Sequence, residues 1–290
     1  MIHVERKHTA MVWIVSAALA LSVFAFVISQ GLYQPDDRYV IPLDPTVNNM
    51  IALSLVVFLI PTSATSFLNL RFKGAVEKNI LPLLRDMLEN VKSGLTLSEA
   101  LEGVSGNDYG PITGHLKKAL SKFILGKDFE DVMNEMGESL SHRQALYVAN
   151  IINMAYNSGE RVGDVLSTAI ETHSINNKYR MKCRSEMRPY TAFIYIAVLI
   201  FLFVSYVILA QFFMPLYTMS EAIILGELLS IDYFKSVFFY SSILEGLSGG
   251  LISGKIAHES FSAGLPGSLV LVGASILFFN VLVFPISAGV

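Results

Sequence analysis

The sequence has few of the residues that build disulfide bonds or metal sites. Cys183 is the single cysteine among 290 residues, which excludes an intramolecular disulfide bond and a metal site built on several thiolates. A lone cysteine also fits a reducing, cytoplasmic environment. The histidines near the middle of the chain, His115, His142 and His173, are too scattered to predict a metal site. No metal ion and no cofactor are therefore expected.

Charged residues are also scarce. They make up 16% of the chain, whereas 53% of its residues are apolar and its mean hydropathy is +0.53. These values exclude an ordinary soluble enzyme of this length and indicate a polytopic membrane protein.

Five apolar runs are near or above the ~18–20 residues that a helix needs to cross a hydrocarbon layer of ~30 Å. They are residues 10–31, 47–68, 191–216, 236–254 and 264–286. The first run is longer than the apolar part of a signal peptide, and Gln30-Gly31-Leu32 is a poor cleavage site, so a retained anchor is predicted. The predicted fold is all-α, with about five transmembrane helices and a helical domain between them. The predicted domains are residues 1–70 with two spans, 71–189 with the helical domain, and 190–290 with three spans.

The charges are distributed unevenly along the chain. Residues 69–189 hold 16 of the 21 Lys and Arg and 15 of the 24 Asp and Glu. The loop after the first span is acidic, with Asp36, Asp37 and Asp44 against Arg38, and Glu221, Glu227 and Asp232 follow the third span. Because excess Lys and Arg marks the cytoplasmic side, the N-terminus and the central domain are predicted to be cytoplasmic and the C-terminus external.

Helix-start and helix-stop signals divide the central domain into six predicted helices. Thr96 and Glu99 form a capping-box pattern, Pro111 suits a first helical turn, and Asp128 is a predicted N-cap. Ser141 with Gln144 is predicted to open a fifth helix, and a sixth is predicted to run from about Val162 towards Pro189. Apolar residues at helical spacing predict one common core. The stripes assigned to the third and fifth helices are Leu116, Leu120, Phe123 and Ile124, and Leu146, Ala149, Ile152 and Met154.

Several short motifs resemble the F domain of type II secretion systems. One is Leu81-Pro82-Leu83-Leu84-Arg85-Asp86-Met87-Leu88, followed by Ser93-Gly94-Leu95-Thr96-Leu97 and Ala100-Leu101. Another is Gly159-Glu160-Arg161-Val162-Gly163, which looks like the Gly-Glu-x-x-Gly turn of that family. Gly249–Lys255 followed by Gly264-Leu265 is similar to the C-terminal part of archaeal members.

The resemblance implies a membrane platform protein of a type IV pilus, a Tad pilus, an archaellum or a type II secretion system. Such proteins look like mechanical adaptors that bind a hexameric secretion ATPase and pilin-like subunits. The resemblance therefore implies no enzyme activity, no catalytic residue and no nucleic-acid partner. One F domain with a late pair of spans is closer to the Tad and archaellum branches, and a short archaeal pilus member or a Tad-type member fits the length best.

Three groups of charged residues are candidate contacts for the ATPase. The first is a lysine cluster on or just after the third helix, formed by Lys117, Lys118, Lys122 and Lys127. The second lines the approach to the third span and comprises Arg180, Lys182, Arg184 and Arg188. The third is the turn with Glu160 and Arg161. Solvated surface, positive-inside anchoring and helix-start electrostatics are the structural alternatives.

The fourth apolar run contains candidate contacts inside the membrane. A carboxylate such as Glu245 is costly in a span. It is expected to contact a partner subunit or a pilin at membrane depth, or to meet water in a short or re-entrant segment. Gly246, Gly250 and Gly254 share one helix face and predict close helix packing, with a homodimer as one possible use. Gly246-Leu247-Ser248-Gly249 also matches an intramembrane serine protease, although no histidine lies in the last span. A proton or small-solute transporter that uses Glu245 is the other alternative.

Gly249–Ile256 nearly matches a phosphate-binding loop. Ile256 replaces the required Ser or Thr, and no strand precedes the segment. Energy is therefore expected from another protein. A continuous helix over residues 162–214 would form a lever of about 80 Å, with Pro189 as a hinge at the membrane surface.

Overall fold

A computed structural model describes residues 6–29, 41–140, 143–215 and 231–287. Nine α-helices follow one another in these ranges, and no strand occurs within them. They are α1 (Arg6–Ser29), α2 (Pro45–Lys92), α3 (Leu97–Ser105), α4 (Pro111–Ile124), α5 (Phe129–Ser139), α6 (Arg143–Asn157), α7 (Val162–Val207), α8 (Ile231–His258) and α9 (Leu265–Phe278). The chain is an all-α polytopic membrane protein, as predicted.

The chain divides into two compact units. Leu68–Cys183 forms one, which we call the bundle unit, and Val4–Phe67 with Arg184–Val290 forms the other, which we call the apolar unit. The long helices α2 and α7 each contribute residues to both units.

The bundle unit is held together by one apolar core to which all six of its helical segments contribute. Its fully buried side chains include Leu84, Leu101, Leu116, Met133, Ile152 and Leu166. Within each helix the buried apolar residues recur about every three or four positions. Each helix therefore turns one apolar stripe towards the core and leaves its charged face outside. Burial of this apolar surface is the main stabilising contribution to the bundle.

Local capping interactions define where the bundle helices begin. Thr96 and Glu99 form the predicted capping box at the start of α3. Pro111 occupies the first turn of α4, and the Asp128 carboxylate accepts hydrogen bonds from the backbone N–H groups of Glu130 and Asp131. These predictions are confirmed. The predicted cap at Ser141 lies outside the described residues.

Four details of the sequence prediction were wrong. Residues 47–68 and the first bundle helix were treated as separate, but α2 is a single helix of 48 residues. Leu146, Ile124 and Met154 were assigned to apolar stripes, yet their side chains are 39%, 73% and 64% exposed. Leu146 begins its stripe. Ile124 follows Phe123 by one residue and Met154 follows Ile152 by two, which turns these side chains by about 100° and about 200° from the preceding stripe position.

The apolar unit has its own core. Phe239 of α8 contacts Phe279, with ring centroids 5.5 Å apart and the planes at 70°, in the edge-to-face arrangement that aromatic pairs prefer. Leu59 and Val272 are also fully buried there. Six π-helical residues, Ile208–Phe213, extend α7 within this unit.

Four of the described helical stretches are long and apolar enough to cross a membrane. They are His8–Ser29, Pro45–Lys92, Gly159–Phe213 and Phe261–Val283. Helix α8, which contains the predicted span 236–254, is long enough but less apolar, because serines, glycines and Glu245 interrupt it. Its crossing stays a prediction. The acidic residues Asp36, Asp37, Glu221 and Glu227 lie outside the described residues.

Two polar clusters join helices of the apolar unit. The side-chain amide of Asn48 donates a hydrogen bond to the Ser236 hydroxyl at 2.8 Å, and the Tyr240 hydroxyl donates to the Asn48 carbonyl oxygen at 2.8 Å. Asn49 and Asn280 exchange hydrogen bonds of 2.6 and 2.9 Å. Interhelical hydrogen bonds of this kind stabilise contacts between helices in a membrane.

Candidate functional site

The predicted lysine cluster lies on α4 and in the turn that follows it. Lys117, Lys118, Lys122 and Lys127 are all exposed. Lys122 and Lys127 both form ion pairs with Glu135 of α5, the latter at 3.1 Å. Hydrogen bonds from these two lysines hold the pKa of Glu135 below its usual value. Lys117 and Lys118 form no ion pair with any acidic residue that the structure describes. Their positive charges are therefore not neutralised within the bundle unit.

The same end of α4 carries two exposed apolar side chains. Ile124 is 73% exposed and Leu125 is 84% exposed, directly before Gly126, whose φ of 90° ends the helix. Sequence reasoning missed Leu125. The signal was present, because two consecutive apolar residues before a helix-ending glycine cannot both face one core. We call this set, from Lys117 through Lys127, the α4 tip.

Glu160 and Arg161 lie in a single 3-10 turn, Gly159–Arg161, directly before α7. Both side chains are exposed. Gly159 has φ of 59°, a left-handed conformation that favours glycine. The turn places one acidic and one basic side chain at the start of a helix, and within the described ranges neither forms an ion pair with another charged side chain.

The four predicted cations before the third span all lie on α7. Arg180, Lys182, Arg184 and Arg188 are exposed, and Pro189 lies inside the helix, which continues to Val207. The predicted continuity of this helix beyond Pro189 is confirmed. Proline removes the hydrogen bond that a backbone N–H at position 189 would donate, so this point is the weakest in the backbone ladder of α7.

The predicted small-residue face of α8 packs against α9 and the 3-10 turn directly before it, Phe261–Gly264, in the same chain. A Cβ atom on Gly250 would lie 2.1 Å from the backbone nitrogen of Ser268, and one on Gly254 would lie 2.0 Å from that of Gly264. At Gly246 the nearest atoms belong to the backbone at Leu271 and Val272, 3.2 Å away. The Ser268 hydroxyl donates a hydrogen bond to the Leu247 carbonyl at 2.8 Å. These glycines thus serve an intrachain contact, and a homodimer would have to use another surface.

Glu245 lies next to this face on α8 and is half-buried. Its Oε2 atom makes no hydrogen bond with any residue that the structure describes. Ser248 donates a hydrogen bond to the Glu245 backbone carbonyl at 3.1 Å, and no histidine ring in the described ranges is bonded to it. Gly249–Ile256 is continuous helix, which differs from the loop that a phosphate-binding motif requires.

Comparison with known protein families gives a match that covers the α4 tip, the Gly159–Arg161 turn and the cations of α7. Residues 83–210 match the family model for the type II secretion system (T2SS), protein F. An uncharacterized protein of Methanocaldococcus jannaschii is 19% identical over 233 residues, which is 80% of this chain and 38% of that protein. The chain thus spans well under half of that relative's length. No solved structure matches the chain.

Proposed function

Because residues 83–210 match the family model for the type II secretion system (T2SS), protein F, we propose that this chain is the membrane platform of a type IV filament or type II secretion machine. The bundle unit faces the cytoplasm and binds a hexameric secretion ATPase. The apolar unit lies in the cell membrane and contacts pilin-like subunits. Motion of the ATPase reaches the membrane through the helices that the two units share.

The observation that supports this mechanism best is the unbroken course of α7. Its 46 residues correspond to about 70 Å at a rise of 1.5 Å per residue. The helix begins in the bundle unit and ends in apolar sequence. A continuous helix transmits displacement along its axis, whereas a loop would absorb it.

The α4 tip is the proposed contact for the ATPase. Protein interfaces commonly combine an apolar centre with a polar rim, and here Ile124 and Leu125 are surrounded by lysines on the same helix and turn. Exposed positive charge also steers an acidic partner into the correct orientation. Lys117 and Lys118 suit this role because Glu135 does not neutralise them.

The remaining candidate residues have secondary roles in this proposal. Glu160 and Arg161 offer a second contact for the ATPase at the start of α7, and Arg180, Lys182, Arg184 and Arg188 fix the cytoplasmic end of the membrane segment. Glu245 supplies a polar contact for a pilin-like subunit at membrane depth. A homodimer is part of the proposal and would use a surface other than the α8–α9 contact.

The direct test is co-purification of the full chain with the secretion ATPase of the same organism. Charge reversal in the double variant Lys117→Glu/Lys118→Glu should lower the recovered ATPase at least fivefold. The matched control is Lys73→Glu/Lys78→Glu, which reverses two exposed lysines of α2 and should leave recovery unchanged. Equal recovery with both double variants would remove the α4 tip from the interface.

A second variant tests the apolar centre of the tip. Leu125→Asp should weaken ATPase binding by about tenfold, since loss of an apolar interface anchor costs roughly 1–2 kcal/mol or more, while folding is unaffected because the side chain is exposed. Leu95→Asp, at another exposed leucine of the bundle unit, is the control. If neither change affects binding while the lysine variant does, the contact is electrostatic alone.

A further inference from the structure

A polar groove of about 290 Å³ lies between α6 and α7 within the bundle unit. Polar atoms make up more of its lining than apolar atoms do. The residues that carry the argument are Arg143 and Tyr147 of α6, and His173, Asn176, Asn177 and Arg180 of α7. None of them belongs to the α4 tip.

The α7 wall of the groove continues the helix face that packs in the core. Leu166 and Ala169 are buried on this face, and the same stripe then continues through positions 173, 176, 177 and 180. A helix face that packed only against the apolar core would carry apolar residues at those positions. His173 is still buried, whereas Asn176, Asn177 and Arg180 are exposed, so at these positions the face leaves the core and becomes a polar surface that a ligand can reach.

His173 is the most informative residue of the groove. Its side chain is 7% exposed, and within the described ranges no group forms a hydrogen bond with its ring. Burial lowers the pKa of His173, the positive charge of Arg180 lowers it further, and Glu77 of α2 opposes both effects. The lowered pKa favours the neutral ring, which has one N–H to donate.

We propose that this groove binds a phosphate group. Arg143 and Arg180 provide two guanidinium groups, which hold phosphate oxygens by paired hydrogen bonds. The amides of Asn176 and Asn177 and the His173 ring add neutral donors. Phosphate offers more acceptor oxygens than a carboxylate does, so it satisfies this many donors better. The volume fits a phosphate with a small substituent, because it lies at the lower limit for small-molecule sites.

The phosphate has two possible sources, free phosphate and the headgroup of an anionic lipid. In either case the ligand would join α6 to α7 by bridging one arginine on each helix. This inference does not depend on the α4 tip, since none of its residues belongs to that surface. Arg180 is shared with the basic group at the start of the membrane segment, so Arg143→Gln, which lies outside that group, is the variant that tests the groove alone.

The test uses the full chain reconstituted in phosphatidylcholine nanodiscs, titrated with inorganic phosphate by calorimetry. Arg143→Gln and Arg180→Gln should each raise the dissociation constant at least tenfold. Arg85→Gln, the same change at an exposed arginine of α2 outside the groove, should leave it unchanged. Circular dichroism checks that each variant keeps its helical content.

The sources are separated by repeating the titration in nanodiscs that contain phosphatidic acid. Weaker binding of free phosphate there, restored in the nanodiscs without it, would identify a lipid headgroup as the occupant. Unchanged binding would identify free phosphate. Both results support the proposal.

Three results would overturn it. Binding that Arg85→Gln weakens as much as the groove variants would indicate an adventitious ion only. Acetate that competes as tightly as phosphate would indicate an acidic protein side chain instead. Absence of phosphate binding in both kinds of nanodisc would leave the groove without this function.

Discussion

At the scale of single residues, two helices pack so closely at Gly250 that only glycine fits there. Gly250 of α8 faces the backbone at Ser268 of α9, which would lie 2.1–2.3 Å from an added Cβ atom. Backbone cannot move aside as a flexible side chain can, so even a methyl group would force the two helices apart.

Gly250→Ala should therefore destabilise the apolar unit by about 1–3 kcal/mol or more, the usual cost of overpacking. Thermal unfolding of the purified protein in detergent measures the change. The control is Gly273→Ala on α9, where a Cβ atom would meet nothing within 4 Å and where alanine favours helix. Equal melting temperatures for the two variants would show that α8 and α9 do not pack this closely.

The four lysines of the α4 tip differ in whether a neighbouring carboxylate neutralises them. Lys122 and Lys127 share one carboxylate, whereas Lys117 and Lys118 do not. The sequence presents these four lysines as one cluster. The position of Glu135 on the neighbouring helix shows the difference: Lys122 and Lys127 join α4 to α5 through ion pairs, whereas Lys117 and Lys118 can contact a partner protein.

At the scale of elements, α7 is the part of the chain on which the proposed mechanism depends. It continues through Pro189, where one backbone hydrogen bond is absent. A helix with one weakened point bends there first. In the proposed function, that bend converts motion of the bundle unit into motion of the membrane helices.

Pro189→Ala should lower filament assembly or secretion severalfold while ATPase co-purification stays normal, because the helix loses its point of bending and keeps its docking surface. Assembly is measured by electron microscopy or by recovery of secreted filament protein. Pro82→Ala, at a proline inside α2, is the matched control and should assemble normally. Normal assembly with Pro189→Ala would exclude a hinge at this position.

At the scale of the whole molecule, the proposed function requires the bundle unit to face the cytoplasm. Cys183 makes this testable, because it is the chain's single cysteine and is partly accessible. A membrane-impermeant maleimide should label Cys183 only after the membrane is opened. In a Cys183→Ser background, Asp36→Cys in the predicted external loop should be labelled in intact cells. Labelling of Cys183 in intact cells would reverse the orientation and refute the mechanism.

The sequence by itself determined the helical class, the caps at Thr96 and Asp128, and the membrane character. A capping box such as Thr96–Glu99 involves residues three positions apart, and an apolar run shows its length directly. The motifs around residues 81–101 and 159–163 were also local, and the family match over residues 83–210 confirmed the predicted resemblance.

Only the tertiary structure decided which surfaces are occupied and which are free. Helix periodicity places a residue on a face but does not say what that face meets, because helices distant in the chain determine it. Thus Ile124 proved exposed, the glycines of α8 met α9 rather than a second copy, and Arg143 and Arg180 came to line one groove from different helices. Contacts between such distant residues depend on how whole helices cross, and no short stretch of sequence contains that information.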